Sequence, residues 1–123
     1  MPSTIVRFTV DYEIREGQSA EFERIAREMS VASEAEPGTL GYEWHLSPDG
    51  RRCRLLETFA DGSAAHAHLS GRVVQEQVAK LLEVSAITGF EVYGDPGAAA
   101  SSVLRELGAE VFVSWVGFRR IEP

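Results

Sequence analysis

The residues best suited to chemistry lie between Glu36 and Gly71, and they include a lone acid and a histidine. Glu57 is the single acid on the apolar face of a predicted strand, where loss of hydration would raise its pKa toward the working range of a general base. His68 follows on a predicted short helix, and the near-neutral pKa of imidazole suits it to proton transfer. The two residues therefore predict acid–base chemistry.

Both residues also have structural explanations that the sequence leaves open. Tyr42 lies opposite Glu57 in a predicted hairpin, so the phenol hydroxyl and the carboxyl group could satisfy each other within a core. His68 could instead cap or bridge the turn between its helix and Gly71. The sequence predicts buried polar groups here without choosing between a catalytic and a structural role.

Aromatic side chains share the predicted helix-facing side of this hairpin. Trp44 and Phe59 lie on that side with Tyr42, where they would form either the wall of a pocket or part of an ordinary core. The other side is polar, and there His45 faces Arg54. For His45 we favour a hydrogen-bonding role over catalysis, because a polar side chain that becomes covered needs a partner.

No metal site is predicted from the remaining histidine and the cysteine. His66 precedes His68 by two positions, and side chains two apart on a helix point in different directions, so they do not form a metal pair. We expect His66 to face solvent. Cys53 is the single cysteine, which excludes an internal disulfide and a multi-cysteine zinc site and is typical of a small buried residue in a reducing compartment.

A hairpin must position these side chains. Two alternating runs, 40–46 and 53–59, flank a turn whose Asp49-Gly50 pair is a strong hairpin signal. This loop predicts cross-strand pairs of Leu46 with Cys53, His45 with Arg54, Trp44 with Leu55, Tyr42 with Glu57 and Leu40 with Phe59. The face that carries Glu57 is otherwise apolar and should lie under the helices.

Hydrophobic periodicity predicts the other elements. They are a strand over 4–12, a helix over roughly 19–35, a short helix from Asp61 through Leu69, a helix ending near Glu83, a strand over 88–93, a helix between Pro96 and Gly108, and a last strand over 111–118. Both faces of the last strand are apolar, so it needs cover on both sides. The order strand, helix, strand, strand, helix, strand predicts an α+β fold of the split βαβ type.

Bulk properties limit the class of protein. A chain of 123 residues with 44% hydrophobic residues fits one domain, taken as 1–123. The net charge of −7 and the pI near 4.9 oppose nucleic-acid binding. No signal-like segment is present and no run approaches the roughly 18 apolar residues of a membrane span, so we expect a soluble cytoplasmic protein without a membrane partner.

Three segments carry a resemblance to a known family. They are Glu36-Pro-Gly-Thr-Leu-Gly-Tyr-Glu-Trp44, then Leu56-Glu-Thr-Phe59 followed by Asp61 and His68-Leu-Ser70, and the tail from Val92-Tyr-Gly-Asp-Pro96 to Gly117-Phe-Arg119. The chain resembles the antibiotic biosynthesis monooxygenase (ABM) family, also called quinol-monooxygenase-like, of the dimeric α+β barrel superfamily. The resemblance implies a ferredoxin-like domain with an antiparallel sheet that pairs with a second copy into a homodimeric barrel. His45 and Arg54 would lie at the dimer interface, and Trp115 would reach the partner.

The resemblance also implies an activity. Family members with demonstrated activity oxidise phenols or quinols with O₂, without metal, flavin or nicotinamide. A cofactor-independent monooxygenase is therefore expected, with a small aromatic substrate and O₂ as its partners. Glu57 and His68 would handle protons, and Tyr42, Trp44 and Phe59 would line the substrate pocket.

The chain departs from relatives at two places. The haem-degrading branch of this fold relies on an asparagine in the first strand and a tryptophan in the third, whereas here the first strand has no asparagine and the third ends in Phe59. Haem degradation is therefore disfavoured. Many relatives carry a second histidine after His68, and it is missing here. The alternative to a monooxygenase is therefore a non-catalytic dimeric barrel that binds a small hydrophobic molecule.

Overall fold

A five-stranded sheet with four helices forms the part of the chain that the computed structural model describes, residues 3–120. In chain order the elements are β1 (Val6–Ile14), α1 (Ser19–Glu34), β2 (Thr39–Leu46), β3 (Arg52–Phe59), α2 (Gly62–Ser70), α3 (Arg72–Val84), β4 (Ser85–Tyr93), α4 (Gly97–Glu106) and β5 (Glu110–Phe112). The strand order is β2-β3-β1-β4-β5. The predicted α+β, ferredoxin-like fold is confirmed, although the sheet is mixed because β5 pairs with β4 in parallel.

The core lies between one face of this sheet and the helices. Alternation in β1 buries Val6, Phe8, Val10, Tyr12 and Ile14 on that face. Residues at helical spacing in α1, including Phe22, Ile25 and Met29, cover it from outside. The opposite face of the sheet carries no helix, and Arg7, Glu43 and Arg54 on it are exposed.

The hairpin of β2 and β3 has the predicted register over most of its length. Leu46 pairs with Cys53, His45 with Arg54, Trp44 with Leu55 and Tyr42 with Glu57. The predicted pairing of Leu40 with Phe59 is wrong. A bulge places Thr39 opposite Phe59, because the turn after α1 holds the Thr39 amide on the Glu36 carbonyl at 3.1 Å and Leu40 becomes the extra, exposed residue.

The last strand is much shorter than the predicted 111–118. β5 ends at Phe112, and the residues that follow it up to 120 are exposed and outside any strand. Its partner β4 ends at Tyr93, where Gly94 turns the chain away with φ +110°, so residues 113–120 have no neighbouring strand among residues 3–120. The described part of the chain therefore does not supply the two-sided cover predicted for these apolar residues.

Two further features bear on the class of protein. None of the helices within residues 3–120 is long and apolar enough to cross a bilayer. Cys53 is a free cysteine, and it is buried as predicted. Burial raises the pKa of its thiol to about 11, so the group is a neutral core side chain.

Candidate active site

A chain of three ionisable side chains lies where the sheet, α1 and α2 meet. His68 on α2 approaches Glu57 on β3 through Nε2, which lies 3.1 Å from Oε1. Its other ring nitrogen, Nδ1, lies 2.8 Å from Oε1 of Glu36, the residue that follows α1 and its capping residue Ala35. The structure thus brings together the two predicted proton-handling residues and adds a second acid.

The ends of α2 hold His68 in this position. Asp61 caps the helix as predicted, with its carboxylate accepting a 2.8 Å hydrogen bond from the Ala64 amide. His68 lies in the last turn, where its carbonyl accepts a hydrogen bond from the Gly71 amide at 3.1 Å. A helix C-terminus favours a positively charged imidazole, so this location supports the protonated form of His68.

Glu36 is held by the turn that connects α1 to β2. Its amide donates to the Ser33 carbonyl at 3.1 Å, and its carboxylate accepts a 2.7 Å hydrogen bond from the Thr39 hydroxyl. Sequence reasoning missed Glu36 as a site residue, because an acid ahead of Pro37-Gly38 is typical of a solvated turn. The signal available was weak: an acid at a helix C-terminus is unfavourable for the helix dipole and so needs another reason to be there.

Burial and mutual charge shift the proton affinities of the two buried groups. Burial raises the pKa of Glu57 above its ordinary value, and the Glu36 charge adds to this effect while the hydrogen bond from His68 opposes it. Burial alone would lower the pKa of His68, but hydrogen bonds and charge interactions with Glu57 and Glu36 outweigh that effect and raise it. Both groups therefore hold protons more tightly in the folded protein than in water.

Tyr42 lies beside this cluster without joining its hydrogen bonds. Its ring centroid is 5.4 Å from that of His68, and among the described residues the Glu57 carboxylate forms an ion pair with His68 rather than a hydrogen bond with the phenol. Burial, and then the charge of Glu57, raises the pKa of Tyr42 far above its usual range. The phenol is therefore neutral. Ser33 nearby on α1 has a buried hydroxyl without a hydrogen-bond partner among the described residues.

The other two predicted pocket residues pack into the core. Phe59 is fully buried, with its ring 5.2 Å from His68 and 4.8 Å from Phe8. Trp44 is half-buried, and its indole donates a 2.9 Å hydrogen bond to the Ser30 hydroxyl on α1. Tyr42 and Trp44 are therefore the predicted pocket residues that retain exposed surface.

The remaining predicted residues lie away from the cluster. His45 is exposed on the helix-free face of the sheet. It lies opposite Arg54 in the strand register, but the Arg54 side chain forms its ion pair with Asp11 of β1. Trp115 is 91% exposed in the segment after β5. His66 is half-buried, it lies 3.4 Å from the Ser70 hydroxyl, and it lines a surface cavity.

The cluster is not suited to holding a metal ion. Glu36 and Glu57 bind opposite nitrogens of one imidazole, so their oxygens do not converge on a common point. No group of three potential ligands within residues 3–120 has the arrangement of a metal site.

Two surface cavities within residues 3–120 lie away from the cluster. One of about 480 Å³ lies between the N-termini of α2 and α4 and is lined by His66, Asp61 and Asp95 among others. Another, of about 320 Å³, lies at the hairpin end of the sheet beside His45 and Arg54.

The first eighty residues carry the family signature. The family model for antibiotic biosynthesis monooxygenase matches residues 5–80, which include all three members of the cluster. The chain belongs to this family. The match ends before β4, so the ABM assignment rests on β1 through most of α3.

Solved structures share the ABM fold at low sequence identity. MupZ from Pseudomonas fluorescens has a TM-score of 0.84 and 19% identity, with 96% of each chain covered. SnoaB from Streptomyces nogalater, a cofactor-independent oxygenase, has a TM-score of 0.68 and 15% identity over 78% of this chain and 97% of its own. Rv0793 from Mycobacterium tuberculosis has a TM-score of 0.65 and 20% identity over 77% and 98% of the two chains. No curated protein matches the sequence significantly.

Proposed function

We propose that this protein is a cofactor-independent monooxygenase that oxidises a small phenolic or quinol-type aromatic with O₂. The observation that carries the proposal is the buried pair of Glu57 and His68 beside the aromatic rings of Tyr42 and Phe59. Membership of the ABM family and the fold shared with SnoaB, a cofactor-independent oxygenase, support it.

This reaction requires the protein to transfer protons and to exclude water from the site of reaction. Ionised Glu57 would accept the hydroxyl proton of the substrate, giving a phenolate that is electron-rich enough to reduce O₂. In a phenol-to-quinone conversion, one oxygen atom of O₂ becomes a carbonyl oxygen on a ring carbon. The hydrogen lost from that carbon and the proton lost from the phenol hydroxyl leave with the other oxygen atom as water. The substrate supplies all four electrons, so no external reductant is required.

Turnover with and without O₂ tests this proposal. The protein is mixed with a panel of hydroquinones and phenols, and quinone formation, O₂ uptake and ¹⁸O incorporation from ¹⁸O₂ are measured. We expect O₂-dependent turnover that falls by at least about 100-fold in E57Q, because a general base contributes that much or more. Turnover that persists anaerobically would contradict oxygenation and would indicate proton-transfer chemistry instead.

The burial of Glu57 and His68 favours one alternative. Because the two side chains are buried and compensate each other's charge, the cluster is also consistent with a structural role in a non-catalytic barrel that binds a small hydrophobic molecule. Absence of turnover across the panel, together with saturable binding of an aromatic ligand, would favour this function.

We further propose that the protein acts as a cytoplasmic homodimer. The helix-free face of the sheet exposes a mixture of charges, including Arg7, Arg54 and Glu43, that can complement a second copy. The apolar residues after β5 supply further surface for association. A free cysteine suits the reducing cytoplasm.

A further inference from the structure

A continuous line of polar contacts connects the surface to the buried acid. The Thr39 hydroxyl donates to Oε1 of Glu36 at 2.7 Å, and the same oxygen lies 2.8 Å from Nδ1 of His68. Nε2 of His68 then lies 3.1 Å from Oε1 of Glu57. Side-chain exposure falls along this line from 27% at Glu36 to 3% at His68 and 6% at Glu57.

The donors and acceptors in this line fix the location of one proton. An ionised carboxylate only accepts hydrogen bonds, so the Glu36 oxygen requires a proton on Nδ1 of His68. The contact between Nε2 and Glu57 then needs one proton, carried either by the imidazolium or by a protonated carboxyl group. That proton can pass between Nε2 and the carboxylate across a separation of 3.1 Å.

The other ionisable groups described around this line do not compete for the proton that His68 and Glu57 share. Glu36 comes from the end of α1, Glu57 from β3 and Tyr42 from β2, and Tyr12 of β1 lies near Glu57. Burial raises the pKa of both phenols far above the usual range, so both stay neutral. No arginine or lysine among residues 3–120 forms an ion pair with Glu36 or Glu57. The line therefore has two acids to share the protons on one imidazole.

We propose that Glu36 is a positioning residue that fixes the tautomer of His68 and stabilises the imidazolium that forms when Nε2 takes the proton from Glu57. This inference rests on the proposed function for the reaction that loads Glu57 with a proton. The Glu57 proton passes to Nε2, so Glu57 becomes a carboxylate and His68 becomes an imidazolium that lies between the Glu57 and Glu36 carboxylates. The Nδ1 proton stays on the nitrogen throughout, and the same proton returns from Nε2 to Glu57 when the reaction forms water.

The variant E36Q tests the positioning role without any substrate. Glutamine keeps the shape of the side chain but removes the negative charge at Nδ1, so the His68 pKa should fall by about one unit or more, as expected for loss of a paired carboxylate. The measurement is a ¹⁵N NMR titration of His68, whose two nitrogen shifts also report the tautomer. E34Q is the matched control, because Glu34 lies two residues earlier, is exposed and is in no ion pair with another described residue.

Kinetics test the role of Glu36 in proton transfer. In E36Q we expect kcat to fall by roughly 10- to 100-fold with little change in KM, since general acid–base catalysis contributes about 100-fold or more and Glu36 supports only part of it. A solvent deuterium isotope effect on kcat should appear or grow, because proton transfer between Glu57 and Nε2 becomes slow. Thermal melts of E36Q and E34Q establish that both variants are folded.

The outcomes separate this inference from the proposed function. A His68 titration in E36Q that coincides with those of the wild type and E34Q would overturn the positioning role, whether or not turnover is found. A lowered His68 pKa with an unchanged kcat and isotope effect would overturn the role of Glu36 in proton transfer. A protein without oxygenase activity would refute the proposed function, and the NMR titration would still decide the role of Glu36.

Discussion

Glu57 is an acid at a buried position of β3 where the cost of desolvation favours an apolar residue. It is buried on the helix-facing side of β3, and only His68 forms an ion pair with it among the described residues. Burying an acid costs free energy unless hydrogen bonds and charge compensate it. His68 provides that compensation, so the stability of the fold should depend on the protonation of this pair.

The pH dependence of stability follows from the direction of the two pKa shifts. The pKa values of Glu57 and His68 are raised above the ordinary 4.5 and 6.5, so the folded state binds more protons than the unfolded state above pH 4.5. The cluster's contribution to the free energy of unfolding is therefore largest at low pH and is lost as pH rises through the raised values. Urea unfolding across pH 5–9 should give a flatter profile for E57Q than for the wild type.

A surface control makes this measurement specific. Glu83 on α3 is exposed and forms no ion pair with a described residue, so E83Q should retain the wild-type pH profile. Parallel profiles for E57Q and the wild type would mean that Glu57 does not control the protonation of the cluster.

At this scale the sequence identified two of the three members of the cluster. Glu57 was recognisable because a lone acid interrupts an alternating apolar pattern, and His68 because it lies on a short capped helix. Glu36 was not recognisable, because its contact with His68 spans 32 residues and depends on how the turn after α1 meets α2. Neither periodicity nor capping encodes such a contact.

At the scale of elements, close packing of the turn after α1 against α2 brings Glu36 to His68. A Cβ at Gly38 would lie 2.5 Å from the Cβ of Ala64, so only glycine permits this approach. We expect G38A to destabilise the protein by about 1–3 kcal/mol, the usual cost of overpacking. Denaturant unfolding measures the effect.

A double-mutant cycle identifies the cause of that destabilisation. A64G removes the opposing methyl group at a cost of about 1 kcal/mol in helix propensity, and it should recover part of the loss in G38A. G41A is the control, since a Cβ there would meet Thr58 at an ordinary 3.5 Å. Strictly additive effects of G38A and A64G would rule out the predicted clash.

The sequence pattern predicted part of the hairpin register correctly, but it failed at Leu40 and at the last strand. The hairpin register was correct from Leu46 to Tyr42 because alternation and the turn chemistry agree there, and it failed at Leu40 because the bulge is set by a hydrogen bond to Glu36. The last strand was predicted too long for a similar reason. Its apolar residues are typical of a strand, but β4 ends at Tyr93 and offers them no partner.

At the scale of the whole molecule, exposed apolar residues near the end of the chain support the proposed homodimer. Several large apolar side chains after Phe112 are exposed, with Trp115 at 91% and Phe118 at 85%. β2 forms the outer edge of the sheet, where Leu40 and Leu46 are also exposed. An unpaired edge and an apolar segment of this kind favour association rather than a stable monomer in water.

Light scattering after size exclusion therefore should give twice the monomer mass of 13.5 kDa at micromolar concentration. Replacing both aromatic anchors, W115A/F118A, should shift the protein toward the monomer, since truncating a buried interface anchor costs about 2 kcal/mol or more and thus raises Kd by more than 10-fold. V31A is the matched control, because Val31 is an exposed apolar residue on α1, the side of the sheet away from the helix-free face. A wild-type protein that stays monomeric would contradict the homodimer. A dimer that W115A/F118A leaves intact would assign association to the polar face of the sheet, with the apolar segment contributing little.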